Sequence, residues 1–271
     1  MNPRITSWRG QRVWIIGAST GIGAALLAPL FGAGAKVAMS ARRVAPLHEA
    51  ADQGWQQVRG DDRDSQAALA TAGHLLLTVD VTQRDDLARA HGQIMAAWGG
   101  IDLVLWVAGT YHPMRADQYD HDKALAIINT NLIGVLNGLS VILPSLIAQK
   151  RGGIAIVSSV AGYSGLPKAL IYGPSKAALI NLCESLYLDL HPLGIGVTMI
   201  NPGFVATPLT AGNAFHMPAL ISAKEAARAI IHGLERGRFE IHFPQRFSRW
   251  LKLLRILPYP LYMFLVSRIT V

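Results

Sequence analysis

The chain has 271 residues, of which 51% are apolar, and a formal net charge of +8 at pH 7. A chain of this length and hydrophobicity can bury one large core, which excludes a disordered protein. Its single cysteine, Cys183, excludes an intramolecular disulfide framework, and no apolar run typical of a secretory signal precedes the first glycine-rich turn. We therefore expect a cytoplasmic protein.

Short apolar runs rich in β-branched residues alternate with longer stretches of helical spacing. Such runs are typical of strands buried on both faces, and their alternation with helices predicts an α/β fold: a doubly wound, mostly parallel Rossmann-type sheet with helices on both faces. The seven predicted strands are Val13–Ile16, Lys36–Met39, Leu75–Val79, Leu103–Val107, Ile154–Val157, Val197–Ile200 and, more weakly, Phe239–Phe243. The predicted helices are Ala24–Phe31, Asp85–Trp98, Lys123–Ala148, Ser175–Leu190 and Lys224–Glu235.

No break in composition divides the first part of the chain, which favours one domain over residues 1–244. Within it the polar stretch Arg43–Gly73, with an acidic cluster at 61–64, predicts a helix followed by an exposed connection. Beyond that domain the composition becomes aromatic, basic and leucine-rich. We interpret residues 245–271 as a C-terminal extension.

A glycine-rich turn follows the first predicted strand and leads into an apolar helix. Glycines there let the chain turn tightly, bring bare backbone to a pyrophosphate and pack the helix closely on the sheet. The free N–H groups and the positive end of that helix would face the phosphates. Three glycines alone could also form an ordinary turn, but their position between a strand and a helix favours a dinucleotide site. The dinucleotide site predicted at this turn comprises Gly17, Ser19, Thr20, Gly21, Ile22 and Gly23.

The same turn also matches Gly-x-Ser-x-Gly, which makes Ser19 a formal candidate for the nucleophile of an α/β-hydrolase. Such a nucleophile normally has several strands upstream, and a loop between them supplies an oxyanion donor. Only a short arm precedes this turn. The dinucleotide interpretation is therefore favoured.

The second predicted strand ends in Arg42-Arg43, where an acidic residue would hold the ribose hydroxyls of NAD. A guanidinium binds a 2′-phosphate through charge-assisted hydrogen bonds, whereas a carboxylate repels one. The arginines Arg42 and Arg43 thus predict NADP(H) in preference to NAD(H); two solvated loop arginines are the alternative. Asp80 and Val81 close the third strand and are placed to meet the adenine, although an aspartate there is also a common helix cap.

Tyr172 and Lys176 place a phenol and an ammonium four residues apart, so that both can share one helix face. A phenol has a pKa of about 10, and lowering it by about three units requires roughly 4 kcal/mol of preferential stabilisation of the phenolate. The ammonium, together with the positive nicotinamide ring of an oxidised cofactor, would supply that stabilisation. By itself this spacing is common on amphipathic helices, so its neighbours decide what it means.

With these motifs in this order, the chain resembles the short-chain dehydrogenase/reductase family. The glycine motif has the family's spacing, and the family's Tyr-x-x-x-Lys matches Tyr172 and Lys176. A serine usually lies thirteen residues before that tyrosine, which is Ser159 here, and the family's Asn-x-x-Gly begins at Asn131. The resemblance spans roughly residues 12–240.

The resemblance implies an oxidoreductase that interconverts a ketone or aldehyde with an alcohol. It implies that Ser159 hydrogen-bonds the substrate oxygen and that Tyr172 protonates or deprotonates it. Lys176 would bind the nicotinamide ribose and depress the pKa of the tyrosine, and Asn131 would hold a water that relays protons from the lysine to solvent. The alternative is a catalytically weak scaffold or sensor of the same fold, in which these are ordinary strand-end and helix polar groups.

The resemblance also implies cofactor contacts after the fourth and sixth strands. The segment that begins at Asn201 is similar to the one that receives the nicotinamide carboxamide in the family. After the fourth strand the family usually has Asn-Asn-Ala-Gly, whereas this chain has Trp106-Val107 before its Ala-Gly, which removes two amides from the cofactor cleft. The residues expected at the cofactor here are Ala108, Gly109, Pro202, Gly203, Val205 and Thr207.

Apolar residues predominate in the segments expected around the substrate. Residues 208–221 are mostly small or apolar and would close over it as a lid. We therefore expect an apolar lipid-, steroid- or aromatic-like carbonyl compound or alcohol, and no spacing of metal-ligating side chains predicts a metal. The side chains expected at the mouth are Tyr111, His112, Met114, Tyr163 and Leu166.

The last part of the chain is strongly basic. Arg246, Arg249, Lys252 and Arg255 recur at three-residue spacing with aromatic and leucine residues between them, which predicts a basic amphipathic helix. The apolar run after it is short and contains prolines, so no transmembrane helix is expected. Peripheral binding to an anionic membrane, packing against a partner subunit or the chain's own cleft, and a solvated helix remain open. We expect a homo-oligomer, and no nucleic-acid partner because no reading module is recognisable.

Overall fold

The computed structural model describes residues 1–60, 65–212 and 217–269, with Ile269 described by its backbone only. The strands within these ranges are β1 (Arg12–Ile16), β2 (Lys36–Ala41), β3 (Leu75–Thr78), β4 (Leu103–Trp106), β5 (Gly153–Val157), β6 (Gly196–Pro202), β7 (Val205–Ala206), β8 (Ile221–Ser222) and β9 (Glu240–Phe243). Of these described strands, seven form a parallel sheet in the order β3-β2-β1-β4-β5-β6-β9, which confirms the predicted doubly wound α/β fold. The short β7 and β8 pair separately and were not predicted.

Helices cover both faces of this sheet. Side chains of β1 alternate between two hydrophobic cores, with Val13 and Ile15 in one core and Trp14 and Ile16 in the other. The first core includes helices early in the chain and α9, and the second includes α5, α7 and α8. The described helices are α1 (Gly21–Ala25), α2 (Leu27–Gly32), α3 (Val44–Arg59), α4 (Ser65–Thr71), α5 (Arg84–Trp98), α6 (His121–Ile128), α7 (Gly134–Gln149), α8 (Tyr172–Leu190), α9 (Ala223–Glu235), α10 (Gln245–Arg255) and α11 (Tyr259–Ile269).

Two predicted helices are interrupted in the structure. The first is split between α1 and α2, because Pro29 has no N–H to continue the helical hydrogen bonds across the break. The long helix predicted over Lys123–Ala148 contains a wider π-helical turn, Asn129–Ile133, between α6 and α7. Neither interruption changes the topology, but the second places a predicted site residue, Asn131, within the π-helical turn.

The polar stretch after β2 contains more helix than predicted. Helix α3 was expected, whereas α4 replaces part of the predicted exposed connection because Leu69 is buried in the core. The acidic cluster at 61–64 lies outside the described residues, as does the part of the predicted lid at 213–216. The exposed-connection prediction is therefore wrong for Ser65–Thr71.

The C-terminal residues form two helices. The predicted basic amphipathic helix is α10, which packs against β9, and α11 follows it with Pro260 in its first turn, where a missing N–H breaks no helical hydrogen bond. Among the described residues, the continuous helical stretch His121–Gln149 has the length and mean hydropathy, 1.8, of a membrane-crossing helix. That stretch packs against α5 and α8, and core helices of globular proteins pass the same test.

Candidate active site

A cleft of about 580 Å³ opens at the carboxyl ends of the central strands. Ligands of open parallel sheets bind at this edge. Most predicted site residues line the cleft, while Gly23 lies buried in α1 and Asn131 lies buried behind the lining. The predicted residues that line it are Gly17, Ser19, Thr20, Gly21, Ile22, Arg42, Arg43, Asp80, Val81, Ala108, Gly109, Ser159, Tyr172, Lys176, Pro202, Gly203, Val205 and Thr207.

The glycine-rich turn brings bare backbone against the end of β4. Gly17 has a φ of +96°, and a Cβ built there would lie 2.5 Å from the backbone nitrogen of Ala108. A side chain at this position would push the two segments apart and would also be strained. The close approach therefore explains the first glycine of the motif, and it shapes the floor of the cleft.

The end of the cleft at β2 carries two exposed cations. Arg42 and Arg43 line it, and within the described parts of the chain neither guanidinium has a carboxylate partner. Asp80 lines the same end, but its carboxylate accepts hydrogen bonds from the backbone and the hydroxyl of Thr82 at 2.9 and 2.8 Å. This aspartate therefore also stabilises the turn before α5.

Asn131 ties the interrupted helix to two neighbouring segments. Its Oδ1 accepts a hydrogen bond of 2.7 Å from the backbone nitrogen of Thr110, and its Nδ2 donates to the Thr110 carbonyl at 3.0 Å. Nδ2 also donates to the Ser175 hydroxyl at 3.1 Å. Both polar atoms of this amide are thus used within the protein, which holds the segment after β4 against α8.

Tyr172 and Lys176 share the first turns of α8, as the spacing predicts. The Lys176 ammonium is buried, donates a hydrogen bond of 2.9 Å to the Val157 carbonyl, and lies 5.7 Å from the centre of the Tyr172 ring. Burial lowers the pKa of Lys176 to about 8. The α8 helix therefore presents a phenol and an ammonium group to the same cleft.

The protein's own groups do not lower the pKa of Tyr172 to neutral pH. Burial raises its pKa to about 12, whereas the neighbouring hydroxyl of Ser159 lowers the pKa and the phenol of Tyr111 raises it. Ser159 itself accepts a hydrogen bond of 3.1 Å from the backbone of Ala161 and points its hydroxyl at the Pro202 carbonyl, 3.4 Å away. At neutral pH the phenol is therefore protonated, which is the state that reduction of a carbonyl group requires.

The predicted mouth is only partly found. His112 lines the cleft and Tyr111 packs against Tyr172, whereas Met114 and Tyr163 are buried and do not line it. They were misplaced because each has a partner elsewhere: Met114 pairs with Ala169 and the Tyr163 hydroxyl binds Glu240. Pro208, Leu209 and Thr210, from the predicted lid segment, also line the cleft. Lining residues that the sequence analysis missed, all close in the chain to predicted ones, include Thr110, Ala126, Thr130 and Ser158.

A model of the short chain dehydrogenase family matches residues 11–216 of the chain. The chain belongs to the short-chain dehydrogenase/reductase family. An oxidoreductase of Myxococcus xanthus is 35% identical to this chain over 248 residues, which cover 92% of the chain and 93% of the relative. The protein is therefore an oxidoreductase with a small-molecule substrate, and the resemblance found in its motifs is confirmed.

More distant similarities agree with this assignment. An 11-beta-hydroxysteroid dehydrogenase-like 4A of Arabidopsis thaliana is 29% identical and covers 90% of this chain and 79% of its own. A short chain dehydrogenase from Burkholderia cenocepacia, solved in complex with NADP, has a TM-score of 0.73 and 24% identity, and the match covers 91% of this chain and 93% of that one. The solved structure supports the fold.

This short-chain dehydrogenase replaces the family's usual amides with an indole. Trp106 is 2% exposed, and a Cβ built at Gly138 of α7 would lie 2.1 Å from its ring. Its Nε1 is buried with no hydrogen-bond partner among the described residues. Packing against α7 thus replaces the polar contacts of an asparagine at the end of β4.

Proposed function

We propose that this protein is an NADP(H)-dependent oxidoreductase that interconverts a ketone or aldehyde with an alcohol, with Tyr172 as the general acid and base. The observation that carries the proposal is the meeting of three groups in one cleft: the phenol, the Ser159 hydroxyl and the buried Lys176 ammonium. A protein that only bound nucleotide would not need this arrangement of proton donors.

The cofactor supplies or accepts the hydride when it is bound. During reduction, the Tyr172 hydroxyl donates its proton to the substrate oxygen, and the Ser159 hydroxyl donates a hydrogen bond to the same oxygen. A phenol pKa of about 12 keeps that proton available at neutral pH. Oxidation requires the phenolate, which the positive charges of Lys176 and of an oxidised nicotinamide stabilise.

Proton return to Tyr172 would pass through Lys176. This ammonium, with its pKa of about 8, exchanges protons near neutral pH and would also bind a ribose hydroxyl. Because both side-chain polar atoms of Asn131 bind other protein groups, a relaying water beside it would bind its main-chain carbonyl. The π-helical turn around Asn131 widens the backbone at that place.

The choice of NADP(H) over NAD(H) rests on the two arginines at β2. Neither Arg42 nor Arg43 is engaged by a carboxylate in the described structure, and both are exposed at the cleft. The close approach at Gly17 leaves backbone, without side chains, where the pyrophosphate would lie. The NADP bound by the Burkholderia cenocepacia protein supports this choice.

The proposed substrate is an apolar carbonyl compound or alcohol. The apolar side chains of Val205, Pro208 and Leu209 line the same cleft as Tyr172, and so does His112 of the predicted mouth. The name of the Arabidopsis thaliana relative, which includes a hydroxysteroid, supports a lipid-, steroid- or aromatic-like molecule over a sugar.

We also propose a cytoplasmic homo-oligomer whose oxidoreductase domain is residues 1–244, followed by the extension 245–271. Leu136 and Ile147 are exposed about three turns apart on the same side of α7, and Leu125 and Ile133 are exposed nearby in the same helical stretch. A second copy of this chain would cover these apolar side chains, since paired helices commonly bury such stripes.

The test compares the wild type with Tyr172→Phe on a panel of apolar ketones with NADPH. We expect kcat to fall by about 10²- to 10⁴-fold, because the proton donor is removed while the ring remains. NADPH binding, followed by its fluorescence, should be retained. Equal rates in the two proteins would contradict the mechanism, and NADPH binding without turnover by the wild type would favour the scaffold alternative that the loss of the two amides suggests.

A further inference from the structure

Helix α10 turns one apolar and cationic face to solvent. Arg246, Arg249, Trp250 and Leu253 follow helical spacing on this side and are exposed, with Trp250 65% exposed. The opposite side, which includes Leu254, packs onto the protein. The inner side of α10 already packs on the protein, so the exposed outer side is free to bind a partner.

Helix α11 packs into the same small hydrophobic cluster as α10 and also exposes apolar side chains. Met263 and Phe264 are exposed, and the guanidinium of Arg268 lies 4.0 Å from the centre of the Phe264 ring. The connection between the two helices adds Ile256 and Tyr259, which are 76% and 80% exposed. We call this surface the tail face; it consists of Arg246, Arg249, Trp250, Leu253, Ile256, Tyr259, Met263, Phe264 and Arg268.

The charge of the tail face selects its partner. The sequence from residue 245 to its end contains five Lys/Arg and no acidic residue. A second copy docked by the same face would bring like charges together, which is unfavourable. An anionic lipid surface attracts the arginines, while Trp, Tyr and leucine side chains enter the boundary between head groups and acyl chains. We propose that the tail face docks on an anionic lipid bilayer.

The tail face is fastened to the segments that form the active site. Lys252, on the inner side of α10, forms an ion pair with Glu240, and the same carboxylate accepts hydrogen bonds from the Tyr163 hydroxyl at 2.7 Å and from Asn201 Nδ2 at 2.9 Å. Tyr163 follows the segment of Ser159, and Asn201 directly precedes the cleft residue Pro202. These contacts fix α10 relative to both segments.

A second attachment comes from α11. The Tyr262 hydroxyl donates a hydrogen bond of 2.6 Å to the Gly165 carbonyl, and Leu166 packs in the small hydrophobic cluster with Tyr262, Leu254 and Val266. Gly165 and Leu166 lie in the loop that leads from β5 to Tyr172. A bilayer bound by the tail face would therefore lie across α10 and α11 from this loop, and, if the proposed function is correct, the enzyme takes apolar substrates from that bilayer.

The docking experiment uses the full chain and sedimentation with vesicles of phosphatidylcholine, with and without phosphatidylglycerol. Removing a charge near an anionic surface weakens binding by about fivefold, so we expect Arg246→Gln/Arg249→Gln to reduce partitioning to the anionic vesicles by about 25-fold. Trp250→Ser/Phe264→Ser should remove the binding that persists at high salt. The matched control is Arg4→Gln/Arg9→Gln, in which two exposed arginines of the N-terminal arm are neutralised.

Each outcome decides the proposal. Loss of anionic-vesicle binding in both tail variants, with wild-type binding in the control, supports it. Equal partitioning of the tail and control variants, or equal binding of the wild type to neutral and anionic vesicles, overturns it. A dimer that dissociates on Trp250→Ser/Phe264→Ser without lipid also overturns it, because the face would then bind a second copy. Thermal unfolding of each variant checks that the fold is retained.

An activity measurement separates this inference from the proposed function. With an apolar ketone dissolved in anionic vesicles, Arg246→Gln/Arg249→Gln should lower kcat/KM by about the same 25-fold as the loss of binding. With a water-soluble aldehyde its rate should equal that of the wild type, because these arginines lie outside the cleft. Absence of reductase activity in every protein would reject the proposed function while leaving the vesicle result to decide the docking.

Discussion

The Tyr111 ring packs edge-on against the ring of Tyr172, with the two centroids 4.9 Å apart and the planes at 74°. The phenol of Tyr111 raises the pKa of Tyr172. Removing only the hydroxyl of Tyr111, in Tyr111→Phe, should therefore lower the pKa of Tyr172 and move the alkaline decline of carbonyl reduction to lower pH. The measurement is the pH dependence of kcat, and an unshifted decline would contradict the coupling.

The ring of Tyr111 also has a positioning effect that the same pair of variants separates. Tyr111→Ala removes an edge-to-face contact of about 0.5–1.5 kcal/mol, so kcat/KM should fall by up to about tenfold, whereas Tyr111→Phe retains the contact. Tyr119→Phe is the matched control, since Tyr119 is exposed and its hydroxyl lies within hydrogen-bond distance of His121, away from Tyr172. A rate in Tyr111→Ala equal to that of the wild type would show that the ring does not position Tyr172.

Arg42→Asp tests the cofactor assignment. The change removes a charge-assisted hydrogen bond to a 2′-phosphate and adds a repelling carboxylate, so kcat/KM for NADPH should fall by about 10- to 100-fold while that for NADH is retained or rises. The two constants are measured with the same ketone. Arg4→Asp, at an exposed arginine of the N-terminal arm, controls for net charge. A preference for NADPH that survives Arg42→Asp would mean that another group recognises the phosphate.

The topology was predictable because each central strand is buried on both faces and therefore appears in the sequence as an uninterrupted apolar run. Interruptions within helices were harder to predict. Pro29 breaks the first predicted helix, yet proline is also common in a first turn, so the sequence alone does not say which of the two occurs. The π-helical turn at Asn131 depends on bonds to Thr110 and Ser175, which are distant in the chain.

Within the candidate site, too, some residues could be placed from the sequence and others could not. Groups within short motifs, such as Tyr172 and Lys176, could be placed together from their spacing. Tyr163 could not, because its burial depends on Glu240 in the last strand of the sheet. The loss of the family's two amides was visible at Trp106, but its compensation was not, since the ring packs on Gly138 from a different helix.

Charge introduced on α7 should dissociate the proposed oligomer. Leu136→Glu/Ile147→Glu places two carboxylates on the exposed apolar side of the helix, where burial against a second copy would be strongly unfavourable. Sedimentation velocity should show smaller particles than for the wild type. The control is Val44→Glu, which puts the same charge at an exposed apolar residue of α3. An unchanged sedimentation coefficient in the α7 variant would place the interface elsewhere.

His74 makes the stability of the fold depend on pH. Its ring is buried between Phe31 and Trp55, with centroid distances of 4.5 and 5.5 Å, and its Nδ1 accepts a hydrogen bond of 3.1 Å from the Val37 backbone. Burial lowers the pKa of His74 to about 4. In the folded protein the His74 ring therefore stays neutral at pH values where a histidine in the unfolded chain is already protonated.

Since the unfolded chain binds this proton from about pH 6.5 downward and the folded chain only near pH 4, the free energy of unfolding should fall as the pH drops through that interval. The contribution of His74 is about 2 kcal/mol between pH 7.5 and pH 5, and His91 and His242, whose pKa values burial also lowers, act in the same direction.

Urea unfolding at the two pH values measures the difference. His74→Gln, which keeps an acceptor for Val37, should reduce it by about 2 kcal/mol, while His232→Gln on the exposed side of α9 should not. The same pH dependence in His74→Gln as in the wild type would show that His74 is not its source.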